Sequence, residues 1–158
     1  MACFVTALHM ASGETITAIA MTEPDTGSDL QSIRTTVRRD GDDFVINGSK
    51  TYITNGQNAD LVLTVCKTDV AAGARGTSII LVEADRMGFE RGRNMDKIGQ
   101  WSADTSELFF HDVRVPASNI LGEENRGFIY LASDLVQERL SIAISAQAAA
   151  QRAYDEAI

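Results

Sequence analysis

The sequence changes period at Gly122, and that change limits the chain to a β-domain with a helix appended. Before Gly122, short runs of β-branched and aromatic residues alternate with glycine, asparagine and aspartate turn signals. After it, glycine and proline nearly vanish and alanine dominates. Phe128, Leu131, Leu135, Ile142, Ala146 and Ala149 fall at intervals that keep them on one face of a helix. A helix of about thirty residues is too long to bury itself on a small barrel. It is expected to pack against something outside this sequence.

The β-type half divides at its turns. Thr15–Met21 is a candidate strand that ends at the cluster Glu23-Pro24-Asp25-Thr26-Gly27. Ser32–Arg38 alternates apolar and polar residues, Asp40-Gly41-Asp42 reads as a hairpin turn, and Phe44–Ile46 begins the return strand. Asn47-Gly48 reads as a second tight turn leading into Lys50–Thr54, and Asn55-Gly56 as a third. Leu61–Lys67 and Thr77–Glu83 are near-continuous apolar runs, expected as core strands either side of a small polar loop. Phe89–Arg93 and Glu107–Val113 complete the set. The expected fold is mainly β, a barrel or orthogonal sandwich followed by one long helix. A parallel βαβ sheet is not expected, because no helix-length segment lies between the strands.

Bulk properties narrow the partners. The 158 residues suit one domain, and the net charge of -8 argues against nucleic acid or an anionic membrane surface. An anionic cofactor is still compatible, since local donors hold a phosphate in an acidic protein. Two cysteines, Cys3 and Cys66, and two histidines, His9 and His111, are too few for a disulfide framework or a His/Cys metal site. No metal and no membrane span are expected, and the cysteine usage suits a reducing, cytoplasmic compartment. Residues 1–10 are set aside as a non-native or disordered start, because Met1–Leu8 makes a poor signal peptide and His9-Met10 is compatible with a cloning scar.

Four short motifs carry chemistry. In Met21–Asp29 a strand ends, the chain turns at Pro24, and Gly27-Ser28 follows; Gly27 lets the backbone approach a ligand and its N–H, with that of Ser28, suits a phosphate. Taken alone, it reads first as a polar turn with a proline stop. Tyr52 and Thr54 stand two apart on a strand and so share a face, an aromatic wall beside a hydroxyl. Alone, that is an ordinary strand end. Gly99–Thr105 is polar yet holds the only tryptophan, Trp101; it lines a pocket or merely connects strands. In Gln137-Glu138-Arg139-Leu140, Glu138 interrupts the apolar stripe between Leu135 and Ile142. A carboxylate desolvated on an apolar face has a raised pKa and suits a general base, although a Glu–Arg pair at a helix interface reads the same way.

Taken together, these motifs resemble one family in order and spacing, the acyl-CoA dehydrogenases, over nearly all of Ala11–Ile158. The resemblance is carried by Ala20-Met21-Thr22-Glu23-Pro24 with Gly27-Ser28-Asp29, by Asp43–Lys50 running into Tyr52-Ile53-Thr54-Asn55-Gly56, by Gly99–Thr105 with Phe110–Pro116, and by Leu121-Gly122-Glu123 with Gly127-Phe128. It implies the family's flavin-binding middle domain over residues 11–121 and, over 122–158, the first helix of the following helical domain. It implies FAD as cofactor, lined by Ile19, Met21, Thr22, Gly27, Ser28, Tyr52, Ile53 and Thr54. Thr22 would meet the pyrimidine side of the flavin ring, Gly27 and Ser28 the pyrophosphate, Tyr52 one ring face, and Thr54 the flavin N5. Ser28, Val136, Gln137, Glu138 and Arg139 would border an acyl-CoA substrate. This chain departs from the usual pattern at Asp25-Thr26, where small residues are common, and at Tyr52, where tryptophan is common.

The implied reaction is α,β-dehydrogenation of an acyl-CoA thioester, with hydride leaving to FAD and electrons passing to an electron-transferring flavoprotein. Glu138 falls at the position where isovaleryl-CoA and long-chain members carry the catalytic base, and the interrupted stripe points to the same residue. A homotetrameric parent enzyme is implied, and the 158-residue piece alone is expected to bind FAD weakly or not at all and not to turn over. Two other readings stay open: an acyl-CoA oxidase or another flavin oxidase of the same fold, and a non-catalytic β-barrel binding module.

Overall fold

The computed structural model describes residues 2–158, with side chains from Ala7 onward. It comprises helix α1 (Ala2–Ser12), strands β1 (Thr17–Ala20), β2 (Thr36–Asp40), β3 (Asp43–Thr54), β4 (Leu61–Lys67), β5 (Thr77–Glu83), β6 (Phe89–Asn94) and β7 (Thr105–Pro116), and helix α2 (Gly127–Ala157). The strands form one curled seven-stranded sheet, ordered β1-β4-β2-β3-β7-β6 with β5 paired to β4. The mainly β fold with a single long C-terminal helix is therefore as the sequence implies. The segment set aside at the start, residues 1–10, is helical from Ala2.

Two strands match their apolar runs residue for residue. β4 and β5 pair antiparallel from Leu61↔Glu83 to Lys67↔Thr77. Their runs are continuous because both faces are buried. Val62 and Cys66 enter the main core with Phe44, Ile46, Ile80, Val82, Leu108, Phe110 and Val113. Val65 joins a second cluster with Ile33, Ile79 and Leu131, which Met21, Leu63 and Tyr130 border. That cluster seats the first turns of α2 against the sheet. Gly127 makes the approach feasible: a Cβ there would lie 2.8 Å from the backbone of Ser78.

Three details differ from the sequence reading. Asn47-Gly48 is not a turn, because β3 runs unbroken through it, paired to β7 on both sides. The irregularity is a bulge, and Gly48 at φ 153 sits so close to Thr35 that a Cβ would lie 2.7 Å from the Thr35 Cα. Ser32–Arg38 is not all strand: Leu30–Ser32 forms a 3-10 turn held by the Ser32 N–H on the Asp29 carbonyl, and β2 begins at Thr36. Finally, β1 and β4 pair in parallel from Thr17↔Leu61 to Ala20↔Thr64, without a crossover helix. The β2–β3 hairpin, turned at Gly41 with φ 65, lies between them in sequence.

Candidate functional site

The turn after β1 is built on backbone and carboxylate bonds. Glu23 N–H donates to the Thr26 carbonyl at 2.9 Å and Thr26 N–H returns to the Glu23 carbonyl at 3.1 Å, closing a turn around Pro24 and Asp25. The N–H groups of Gly27 and Ser28, just beyond, hydrogen-bond to nothing among the described residues. Both residues are exposed. Gly27 is not required by the chain's own packing, since a Cβ there would meet nothing within 4 Å. The loop therefore presents open amides beside a glycine whose missing side chain leaves room for a ligand.

The second segment lies on β3. The register with β7 slips between Lys50 and Ile53, so β3 bulges there. Tyr52 takes φ 58, an uncommon conformation for an aromatic residue. The bulge buries Lys50 and Thr51 in succession and turns Tyr52 outward, 67% exposed. Thr54 is exposed on the same side as Tyr52, as the strand period predicts. Ile53 goes the other way, at 2% exposure within the main core, so its side chain meets no surface ligand. On the first segment Ile19 is 36% exposed, and Met21 and Thr22 are half-buried. The hydroxyls of Thr22, Ser28 and Thr54 have no hydrogen-bond partner among the described residues, although the Thr22 carbonyl accepts from Thr51 N–H at 2.9 Å.

Beneath both segments lies a buried ion pair that the sequence reading did not single out. Lys50 Nζ donates to Glu23 Oε1 and to the Met21 carbonyl, each at 2.9 Å. Glu23 also accepts from the backbone N–H of Arg34 at 2.6 Å and of Thr35 at 2.9 Å. The Lys50 and Glu23 side chains are 0% and 5% exposed. Burial pushes the Glu23 carboxyl up, but the Lys50 charge and hydrogen bonds from Thr35, Lys50 and Arg34 outweigh it and hold the group below its ordinary range. Burial lowers Lys50, with Glu23 acting against that shift. Both residues stand inside motifs quoted above. Their pairing had no local signal, because it joins a turn to a strand far along the chain.

A third region joins the turn to the helix. A cleft of about 420 Å³ is lined by Ser28, Asp29, Leu30 and Gln31 on one side and by Phe128, Leu131, Leu135 and Arg139 on the other. It brings together Ser28 and Arg139, two of the residues expected at a substrate. Val136, Gln137 and Glu138 do not line it, and Glu138 is exposed. The desolvation expected for Glu138 is not supplied by this chain, because α2 leaves the sheet beyond Leu135. Val136 and Ile142 are each 68% exposed there.

The loop holding Trp101 borders a separate cleft of about 450 Å³ with Asn94, Met95, Asp96, Lys97 and Ala103. Its base is fixed by Lys97 Nζ, which donates to the Ala103 carbonyl and to Thr105 Oγ1 at 2.5 and 2.9 Å. Asp104 accepts from Gln57 N–H at 2.6 Å. Trp101 itself is 84% exposed, so the loop both connects strands and flanks a cleft. Among the described residues no group of three His, Cys, Asp or Glu is placed to hold a metal, and no helix is long and apolar enough to cross a membrane.

This geometry can be set beside known proteins. Residues 18–113 match the family model for the acyl-CoA dehydrogenase middle domain. The chain is 51% identical over 150 residues to the long-chain specific acyl-CoA dehydrogenase, mitochondrial, of Sus scrofa, covering 94% of this chain and 35% of that protein. It is 43% identical over 136 residues to the isovaleryl-CoA dehydrogenase, mitochondrial, of Pongo abelii, covering 85% of this chain and 32% of that one. The crystal structure of an acyl-CoA dehydrogenase from Geobacillus kaustophilus superposes with a TM-score of 0.84 at 55% identity, over 88% of this chain and 37% of that one. The chain thus spans about a third of the length of the curated relatives it matches. With the family model matched over most of the sheet and relatives at this identity, the chain belongs to the acyl-CoA dehydrogenase family, whose middle domain it contains.

Proposed function

We propose that this chain is part of an FAD-dependent enzyme that dehydrogenates acyl-CoA thioesters at the α,β carbons. Residues 11–121 would form the flavin-binding domain and residues 122–158 the first helix of a helical domain completed elsewhere. The observation that carries the reading is the pairing of two outward-facing segments, Met21–Ser28 and Tyr52–Thr54, over one buried clasp, with uncommitted donors on both. That donor set fits a flavin nucleotide. The Gly27 and Ser28 amides and the Ser28 hydroxyl suit a pyrophosphate, Thr22 and Thr54 suit ring-edge atoms, and Tyr52 with Ile19 and Met21 offers apolar surface to a flat ring.

FAD, when bound, supplies the hydride acceptor. The chain's residues then have to orient the acyl group and move one proton. Ser28 and Arg139, facing each other across the cleft, are proposed to bind the thioester's CoA portion. Glu138 is proposed to take the α-proton. Its support is its position on α2 between Leu135 and Arg139, both of which line that cleft. A partner covering the exposed turn would exclude water from the proton-transfer step, which a positioned general base needs. Val136 and Gln137 would border the same substrate once that cover is in place. Both C–H bonds must lie between base and flavin, which makes catalysis here chiefly a matter of position.

Electrons are proposed to pass to an electron-transferring flavoprotein, and the full-length protein to form a homotetramer. Sizing by light scattering tests the assembly. The prolyl acyl carrier protein oxidase AnaB superposes with a TM-score of 0.75 at 36% identity, so the fold alone does not divide dehydrogenase from oxidase. Fast reoxidation of reduced enzyme in air would favour the oxidase reading. Cytoplasmic placement is likewise a proposal, tested by fractionation, since two relatives are described as mitochondrial.

The deciding experiment is the visible spectrum of the full-length protein and its bleaching by a panel of acyl-CoAs, with Glu138→Gln beside wild type. A yellow wild type that bleaches, and a yellow mutant that does not, supports both the activity and the base. A mutant that bleaches normally moves the base elsewhere. Absence of flavin removes the reading.

A further inference from the structure

We propose that the buried Lys50–Glu23 pair is the positioning element of the candidate flavin site, setting the turn after β1 and the β3 bulge at one fixed separation. The inference rests on the flavin reading above. Three chain segments converge on these two side chains. Lys50 Nζ reaches the Met21 carbonyl and Glu23 Oε1 at 2.9 Å each. The Glu23 carboxylate takes the Arg34 and Thr35 amides at 2.6 and 2.9 Å. Next to Lys50, Thr51 N–H holds the Thr22 carbonyl at 2.9 Å.

The placement is selective. Met21 and Thr22, on one side, and Tyr52, on the other, are each within two positions of a clasped atom. Lys50 is also the last paired residue before the bulge that turns Tyr52 outward. The bonds restrain the backbones that carry the candidate ligand donors and leave the donors themselves unspent.

Stability alone does not account for a buried ion pair. Replacing one with apolar residues of similar volume is often neutral or stabilising. A hydrophobic pair would fill the space but would not fix a direction or a distance. Lys50 and Glu23 do both, because every bond they make ends on a backbone atom or on each other. They touch no reacting atom and are positioning residues, acting through Thr22 and Tyr52.

The test uses the full-length protein, reconstituted with FAD, as wild type and as the double variant Lys50→Met with Glu23→Gln. Removing both charges avoids leaving either one buried alone. A core variant, Val113→Ala, distant in sequence from both segments, supplies a control of matched melting temperature. Three quantities are read: FAD dissociation constant, visible circular dichroism of the bound flavin, and the rate of flavin reduction by saturating acyl-CoA.

The double variant is expected to lose at least tenfold in FAD affinity, to change the flavin's circular dichroism, and to slow reduction by roughly 100-fold, the scale of a misplacement of about 1 Å. The control should keep all three. A double variant with wild-type affinity, dichroism and rate overturns the inference while leaving the flavin reading intact. A wild type that takes up no flavin overturns that reading and the inference with it. Should the double variant not fold, Lys50→Arg is measured instead. It keeps the charge but not both 2.9 Å bonds in their present geometry. Unaltered flavin dichroism and reduction rate in Lys50→Arg would overturn the inference equally.

Discussion

Truncating Leu131 and truncating Ile142, both on α2, should have opposite consequences. Leu131 is 4% exposed and packs with Ile33, Val65 and Ile79. Leu131→Ala removes buried side-chain atoms and leaves a cavity between α2 and the β4–β5 face, at a cost of about 2–5 kcal/mol. Ile142 is 68% exposed and touches no core cluster. In the 158-residue chain Ile142→Ala should change stability by no more than about 0.5 kcal/mol, and alanine's better helix propensity pushes it toward a small gain. In a longer polypeptide that covers this face, the same change should cost about 1.5–3 kcal/mol, the value of burying an isoleucine side chain. Urea melts followed by far-UV circular dichroism give the first two numbers. Hydrogen–deuterium exchange of the α2 amides, compared between wild type and Ile142→Ala in the full-length protein, gives the third and avoids assuming two-state unfolding in a multidomain protein. Equal effects of Ile142→Ala in both polypeptides would refute the argument that the far half of α2 belongs to a second domain.

Further outcomes follow from the buried and the open glycines and from the clasp. Glu23 has a folded pKa below its ordinary value of 4.5, so its contribution is fully present above about that pH and is lost as pH falls through the folded value. Glu23→Gln should therefore flatten the acid limb of a stability–pH series below pH 4.5, where wild type declines. Gly48→Ala should cost about 2 kcal/mol or more, since φ 153 and a contact of 2.7 Å to the Thr35 Cα leave the new methyl nowhere to go. Adding Thr35→Ser should not restore the loss in urea melts, because that Cα stays. Gly27→Val should leave the melting of the apo chain within about 0.5 kcal/mol, as nothing lies within 4 Å of the added carbon. In the full-length protein it should cut FAD affinity tenfold or more; unchanged affinity would remove Gly27 from the pyrophosphate site.

How much of this was legible beforehand depended on the range of each interaction. β4 and β5 were read to the residue because double burial writes an uninterrupted apolar run. Asn47-Gly48 has the chemistry of a turn; whether the strand continues is decided by β7, which pairs on both sides of it from far along the chain. Leu30–Ser32 departs from the strand because Asp29 captures the Ser32 N–H and hydroxyl locally, a competition that apolar alternation does not register. At the site, the exposed pair Tyr52 and Thr54 is legible from strand period, whereas the cleft that Ser28 and Arg139 both line joins a turn to a helix far along the chain and has no local signal. Ile53 lies between two exposed residues, but its own parity puts it in the core. The Glu23–Lys50 clasp left no trace in either motif, because an ion pair across the fold has no period. Glu138 interrupts the apolar stripe, but it stands exposed on α2, where nothing among the described residues desolvates it.

One buried side chain makes the barrel its own chemical clock. Cys66 is fully buried on β4, and burial pushes its thiol up to about 12, with the Lys50 charge opposing and the Glu23 charge adding to the shift. Near neutral pH almost none of it is thiolate, and no reagent can reach it while β4 stays packed. With Cys3 changed to serine, a maleimide could therefore react only with molecules whose β4 has come away from its neighbours. The labelling rate, divided by that of a free thiol, would give the population of opened barrels under native conditions. A bound ligand that clamps Met21 and Thr22 against β3 would slow that clock without touching the sulfur.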